Sequence, residues 1–125
     1  MATVLLVDDE RSVRRALRIY FEMAGFAVLE AESAEAALES IRAGASVDAI
    51  VSDVIMPGAS GVALYDMLVS TVPALQGRVV FLSGAARDPG VHDPIEERGV
   101  PLLSKLDDLR LVVDAVRIAL MRRVG

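Results

Sequence analysis

The chain has 125 residues, 54% of them apolar and 25% charged, which is the balance of one globular domain with its own core and not of a disordered tail. It has no cysteine, which excludes a disulfide framework and a thiolate metal site, and its net charge of −5 argues against nucleic-acid binding, which needs a basic face. No apolar run approaches the roughly 18 to 20 residues of a membrane span, and no basic flank followed by an apolar core opens the chain. The expectation is therefore a single soluble, cytoplasmic domain over residues 1–125 with no membrane contact.

In chain order, Thr3 to Val7 is a short apolar run that ends in the acidic pair Asp8-Asp9. A helical pattern follows, with Val13, Ala16, Leu17, Tyr20, Phe21 and Ala24 on one face, Arg11, Arg14, Arg15 and Arg18 largely off it, and Gly25 as its stop. Phe26 to Ala31 reads as a second strand, and Ser33 as the cap of a second helix that carries Ala37, Leu38 and Ile41 and ends at Gly44. Asp48 to Ser52 is a third strand, Gly61 to Thr71 a third helix and Arg78 to Leu82 a fourth strand. Pro89, Gly90, Pro94 and Gly99 interrupt the fourth helical region, leaving about two turns between Asp93 and Arg98, with Pro94 suited to a helix start. Val100 to Leu103 is the fifth strand, placed at a sheet edge because Pro101 lacks a ladder donor. The last helix starts near Asp107-Asp108 and runs on Leu109, Val112, Val113, Val116 and Leu120.

Strands this apolar, alternating with helices through short connections, imply an α/β domain: a doubly wound five-stranded parallel sheet covered by five helices, the fourth short or irregular. The polar residues that interrupt the strands fall at carboxyl ends: Asp8 and Asp9 after the first, Asp53 after the third, Ser83 after the fourth and Lys105 after the fifth. In an open sheet of order 2-1-3-4-5 ligands bind at those ends, beside strands one and three. Converging carboxylates repel one another unless a proton or cation is held among them, and a hard divalent ion with oxygen ligands, Mg²⁺ in particular, is the natural occupant. Lys105 is the chain's only lysine and a mobile point charge suited to phosphate. Metal, hydroxyl and ammonium around one carboxylate are the parts that stabilise a transferring phosphoryl group while Asp53 attacks it.

Leu5-Leu6-Val7-Asp8-Asp9-Glu10, then Asp53-Val54-Ile55-Met56-Pro57-Gly58 with Gly61, then Val80-Phe81-Leu82-Ser83-Gly84, then Lys105 resemble the receiver domains of two-component response regulators, over the whole length. The resemblance implies a flavodoxin-like fold and Asp53 as phosphoacceptor. It implies Mg²⁺ on Asp9, Asp53 and the Ile55 carbonyl, with Asp8 acting mainly through a metal-bound water, and Ser83 and Lys105 on the phosphoryl oxygens. It also implies a histidine kinase or histidine phosphotransfer protein as donor, and a switch that catalyses only its own phosphorylation and slow dephosphorylation. The unphosphorylated domain is expected to be a monomer.

Taken singly, each of these residues has a plainer explanation. Asp8-Asp9 could cap a helix, Ser83 could be a turn hydroxyl, Lys105 a solvated charge, and His92 a solvated loop residue. The chain also departs from the family pattern. Leu106 follows Lys105 where receivers usually carry a cis proline, which leaves that bond open between cis and trans, a non-proline cis bond costing about 2.5 to 4 kcal/mol. Leu102 stands where an aromatic switch residue is common, and Ser60 where an aspartate is frequent. Three classes follow: a phosphorylatable receiver, a receiver-like binding module with phosphorylation-independent or atypical output, and a small aspartyl phosphohydrolase. The last is disfavoured because adjacent Asp8 and Asp9 point in opposite directions, where such enzymes use Asp-x-Asp.

Overall fold

The computed structural model describes residues 1–121. The apolar runs form β1 (Thr3–Val7), β3 (Ala49–Asp53) and β4 (Val79–Ser83), with β3 and β4 buried along their whole length. β2 (Ala27–Ala31) and β5 (Leu102–Ser104) complete a parallel sheet of order β2-β1-β3-β4-β5. Strands two to four each begin one residue later than their sequence pattern indicates. Phe26 N–H still bonds the Phe21 carbonyl, so Phe26 closes the preceding helix instead of joining the ladder, whereas Asp48 stands just before its strand, its carboxylate accepting from Thr3 N–H at 2.7 Å and its own N–H bonding the Thr3 carbonyl at 2.9 Å. β5 lies at the edge as expected, but starts at Leu102. Pro101 stands just outside it and contributes only its carbonyl, which accepts from Phe81 N–H at 2.8 Å.

Because side chains alternate along a strand, each strand feeds two cores. On one face Val4, Leu6, Val51, Val80 and Leu82 pack with Leu17 and Phe21 of α1 (Arg11–Met23) and Val112, Val113 and Val116 of α5 (Leu109–Met121). On the other Leu5, Val7, Ile50 and Phe81 meet α2 (Ala34–Arg42), α3 (Gly61–Thr71) and Ile95 of α4 (Pro89–Glu97). The result is three layers. Tyr20, grouped by periodicity with the buried side of α1, is 38% exposed, since the line through Leu17 and Phe21 runs to one side of it.

The helix ends follow local chemistry. Ser33 and Ser60 cap α2 and α3 by accepting from Ala36 N–H and Ala63 N–H. α4 corrects the sequence reading: it is one nine-residue helix that begins at Pro89, with Pro94 inside it and not at its start. Asp88 caps it through Gly90 N–H at 2.8 Å and Pro89 occupies the first helical position, where no N–H is needed. Pro94 then costs only the bond to the Gly90 carbonyl, at the exposed start of the helix. His92 accordingly sits on an exposed helix face beside Asp93 and Glu96, and not in a loop. Among the described residues there is no cis peptide bond, so Lys105-Leu106 is trans.

Candidate functional site

β1 and β3 are neighbours, and their carboxyl ends deliver Asp8 and Asp53 side by side, both buried. Asp8 Oδ1 accepts from Glu10 N–H at 2.8 Å, which turns the chain from strand into helix. Asp53 Oδ1 lies 3.4 Å from Ile55 N–H, while the Ile55 side chain points into solvent. Lys105 follows the short β5, and its N–H bonds the Ser83 carbonyl at 3.0 Å, joining it to the end of β4. From there its Nζ reaches Asp8 Oδ2, Asp53 Oδ2 and Glu10 Oε1, each at 3.1 Å. Ser83 is buried beside this group, its Oγ accepting from Ala85 N–H at 3.1 Å. Asp9 points outward, and one carboxylate oxygen each of Asp8, Asp9, Glu10 and Asp53 lies within 4.8 Å of the others.

The electrostatics follow from crowding charge in a buried place. Burial pushes the Asp8 carboxyl above its ordinary range, against the lowering effect of Glu10 N–H and Lys105. Burial likewise raises Asp53, with Lys105 opposing and the Asp8 charge adding to the rise. Burial alone would lower the Lys105 ammonium, but its hydrogen bonds to Asp53, Asp8 and Glu10 outweigh that and hold it above the ordinary lysine value. The donor set is carboxylate oxygen throughout, without nitrogen or sulfur, which fits a hard divalent ion of the Mg²⁺ type and not a softer transition metal.

Two clamps that periodicity does not reveal hold the loops of this site. Arg14, counted from sequence with a wet arginine face, donates from a guanidinium nitrogen to the Asp8 carbonyl at 2.6 Å and pairs with Glu30 at 3.1 Å. Glu35, in the first turn of α2, accepts from Ala59 N–H at 3.2 Å and holds the loop after β3, where Gly58 takes φ +82°. Gly61 closes the same loop: its N–H bonds the Val54 carbonyl, and a Cβ there would collide with the Asp53 carbonyl oxygen. The sequence signal for Glu10 was its place directly before a helix, where glutamate is a poor cap and here makes no cap bond.

Known proteins resemble this chain along nearly its whole length. The chain is 32% identical over 123 residues to a cyclic di-GMP phosphodiesterase of Thermotoga maritima, covering 98% of this chain and 32% of that protein. It is also 32% identical over 126 residues to the C4-dicarboxylate transport transcriptional regulatory protein DctD of Rhizobium meliloti, covering 98% of this chain and 26% of that protein. The chain thus spans about a third or less of the length of these relatives. The crystal structure of FixJ-N superposes with a TM-score of 0.84 at 28% identity, covering 100% of this chain and 98% of that one. The response regulator receiver domain profile matches residues 4–117, from the first buried valine of β1 to the third turn of α5 and so across every strand that carries a site residue; the chain belongs to that family.

Proposed function

We propose that residues 1–125 act as one phosphorylatable receiver domain, with Asp53 accepting a phosphoryl group from a histidine kinase or histidine phosphotransfer protein. The observation that carries this is the Lys105 ammonium, 3.1 Å from each of two buried carboxylates on separate strands, Asp8 and Asp53. An oxygen nucleophile and a cation are thereby held together where an incoming phosphoryl group needs both. Asp9, Asp53 and the Ile55 carbonyl would hold Mg²⁺, with Asp8 beside them. The ion supplies positive charge that lets an anionic donor approach the carboxylates and offsets charge on the phosphoryl oxygens.

In the transfer an Asp53 oxygen bonds to phosphorus as the donor's P–N bond breaks, and the electron pair leaves with the histidine nitrogen. Lys105 donates to a phosphoryl oxygen. The Ser83 hydroxyl, which accepts from Ala85 N–H at rest, turns its own proton to another. Water later cleaves the acyl phosphate, so the domain catalyses only its own phosphorylation and slow dephosphorylation and stays a monomer before phosphorylation. It works in the cytoplasm and binds no nucleic acid itself; among the described residues no helix is long and apolar enough to cross a membrane. Leu102, partly buried where an aromatic switch is common, favours an atypical output route.

Incubation with acetyl phosphate, read by intact-mass and peptide mass spectrometry, tests this. One phosphoryl group is expected, on Asp53, with Mg²⁺ or Mn²⁺ present. It should be lost with chelator and in Asp53→Asn. Labelling that survives either would overturn the assignment.

A further inference from the structure

A lysine ammonium has three protons, and in this structure Lys105 Nζ has three carboxylate acceptors at 3.1 Å: Asp8, Asp53 and Glu10. The resting ammonium is therefore fully engaged, and it can donate to a phosphoryl oxygen only by giving up one partner. The three partners are not equal. Asp8 and Asp53 have side chains 3% and 5% exposed, whereas that of Glu10 is 56% exposed and can be rehydrated when released.

The backbone of Glu10 explains why this residue can serve as the third partner. Its N–H is held by Asp8 Oδ1 at 2.8 Å and its carbonyl accepts from Arg14 N–H at 3.2 Å, so its Cα is fixed at the mouth of the site. It occupies the position before the first turn of α1, where a side chain normally bonds a free helix N–H. Glu10 makes no such bond; its carboxylate is turned to Lys105.

We propose that Glu10 is a positioning residue that parks the Lys105 ammonium in the resting state, and that an incoming phosphoryl oxygen displaces it, so that Glu10 sets how readily the site takes up its anionic ligand. This rests on the receiver reading above. Its charge has two opposed effects: it favours the divalent cation and disfavours the phosphoryl group. A residue that merely supported the fold would not separate them.

The test is titration of the wild-type protein and Glu10→Gln with Mg²⁺ alone, and with beryllofluoride at saturating Mg²⁺, by isothermal calorimetry. Glu10→Gln should bind beryllofluoride about two- to fivefold more tightly, as expected for release of a half-exposed ion pair, and bind Mg²⁺ more weakly. The gain should vanish when Glu10→Gln is placed in a Lys105→Ala background, because the ammonium is what Glu10 holds. Unchanged or weaker beryllofluoride binding in Glu10→Gln, or a gain that persists without Lys105, would overturn the role of Glu10 alone. Failure of the wild-type protein to bind beryllofluoride would overturn the receiver reading as well.

Discussion

The carboxyl ends of β1 and β3 and the flank made by α4 and β5 belong to one sheet, yet they are built to different tolerances. Asp8 and Asp53 extend from central strands that have a neighbour on each side, and Arg14, Glu35 and Gly61 brace their loops. β5 is three residues long and only partly buried, and α4 contributes one buried side chain, Ile95, with a proline within its span. What ties the end of α4 to the body is Arg98, which pairs with Asp66 of α3 through two 2.9 Å bonds and also donates to the Pro94 carbonyl at 2.6 Å. A phosphoryl site needs atoms held to fractions of an ångström, whereas a surface that reports its state needs two conformations of similar free energy. The contrast teaches that these needs are met in one small domain by concentrating the bracing at one place.

The strongest way to break this comparison is Ile95→Ala. Truncating a fully buried isoleucine costs about 2 to 5 kcal/mol. On a lightly held flank the loss should be local: amide exchange across 85–99 accelerates while Mg²⁺ affinity is kept. Leu64→Ala, in the same core on α3, should by contrast lower the global unfolding transition. Equal exchange changes everywhere in Ile95→Ala would show that the flank is as firmly held as the site.

Glycine substitution sharpens the same contrast. Gly61→Ala forces a Cβ against the Asp53 carbonyl and should destabilise by about 1 to 3 kcal/mol while weakening Mg²⁺ binding. Gly84, at the start of the loop from β4 to α4, has nothing within 4 Å of an added Cβ, so Gly84→Ala should be nearly neutral. Denaturant titration of the two variants decides it, and similar losses in both would remove the contrast.

The smallest effect is at Arg98. Its hydrogen bonds hold the Asp66 carboxyl below its ordinary range, so the pair contributes stability above that range and loses it as pH falls through the depressed folded-state value. Half-exposed as Asp66 is, Arg98→Ala should cost only about 0.2 to 1 kcal/mol near neutral pH. Thermal unfolding against pH should show the wild-type and variant curves converging in acid, and a constant gap would mean that Arg98 acts through packing.

Much of this was legible in sequence for physical reasons. Apolar runs of five residues that alternate with helical patterns through short connections point to a parallel sheet covered by helices on both faces. Asp8, Asp9, Asp53, Ser83 and Lys105 stood out because a polar residue ending an apolar run is conspicuous, and the structure brings them to one end of the sheet. α4 was misread because Pro89 was taken as an interruption and Pro94 as the helix start, when the cap at Asp88 makes Pro89 the initiator and leaves Pro94 an inexpensive interior fault.

By itself, then, the sequence determined the layers and which polar residues end the apolar strands, because these follow from local periodicity and short connections, while the strand order 2-1-3-4-5 came with the resemblance to receiver domains and is set in the structure by the strand pairing. Only the tertiary structure decided who holds whom. Glu10 meets Lys105 across 95 positions and Glu35 meets Ala59 across 24, and such pairings depend on loop paths, for which residue spacing along the chain carries no signal. Arg14, on the wet face of a helix, and Glu10, just before that helix, look like two ordinary charges until the fold turns one onto the Asp8 carbonyl and the other onto a shared ammonium.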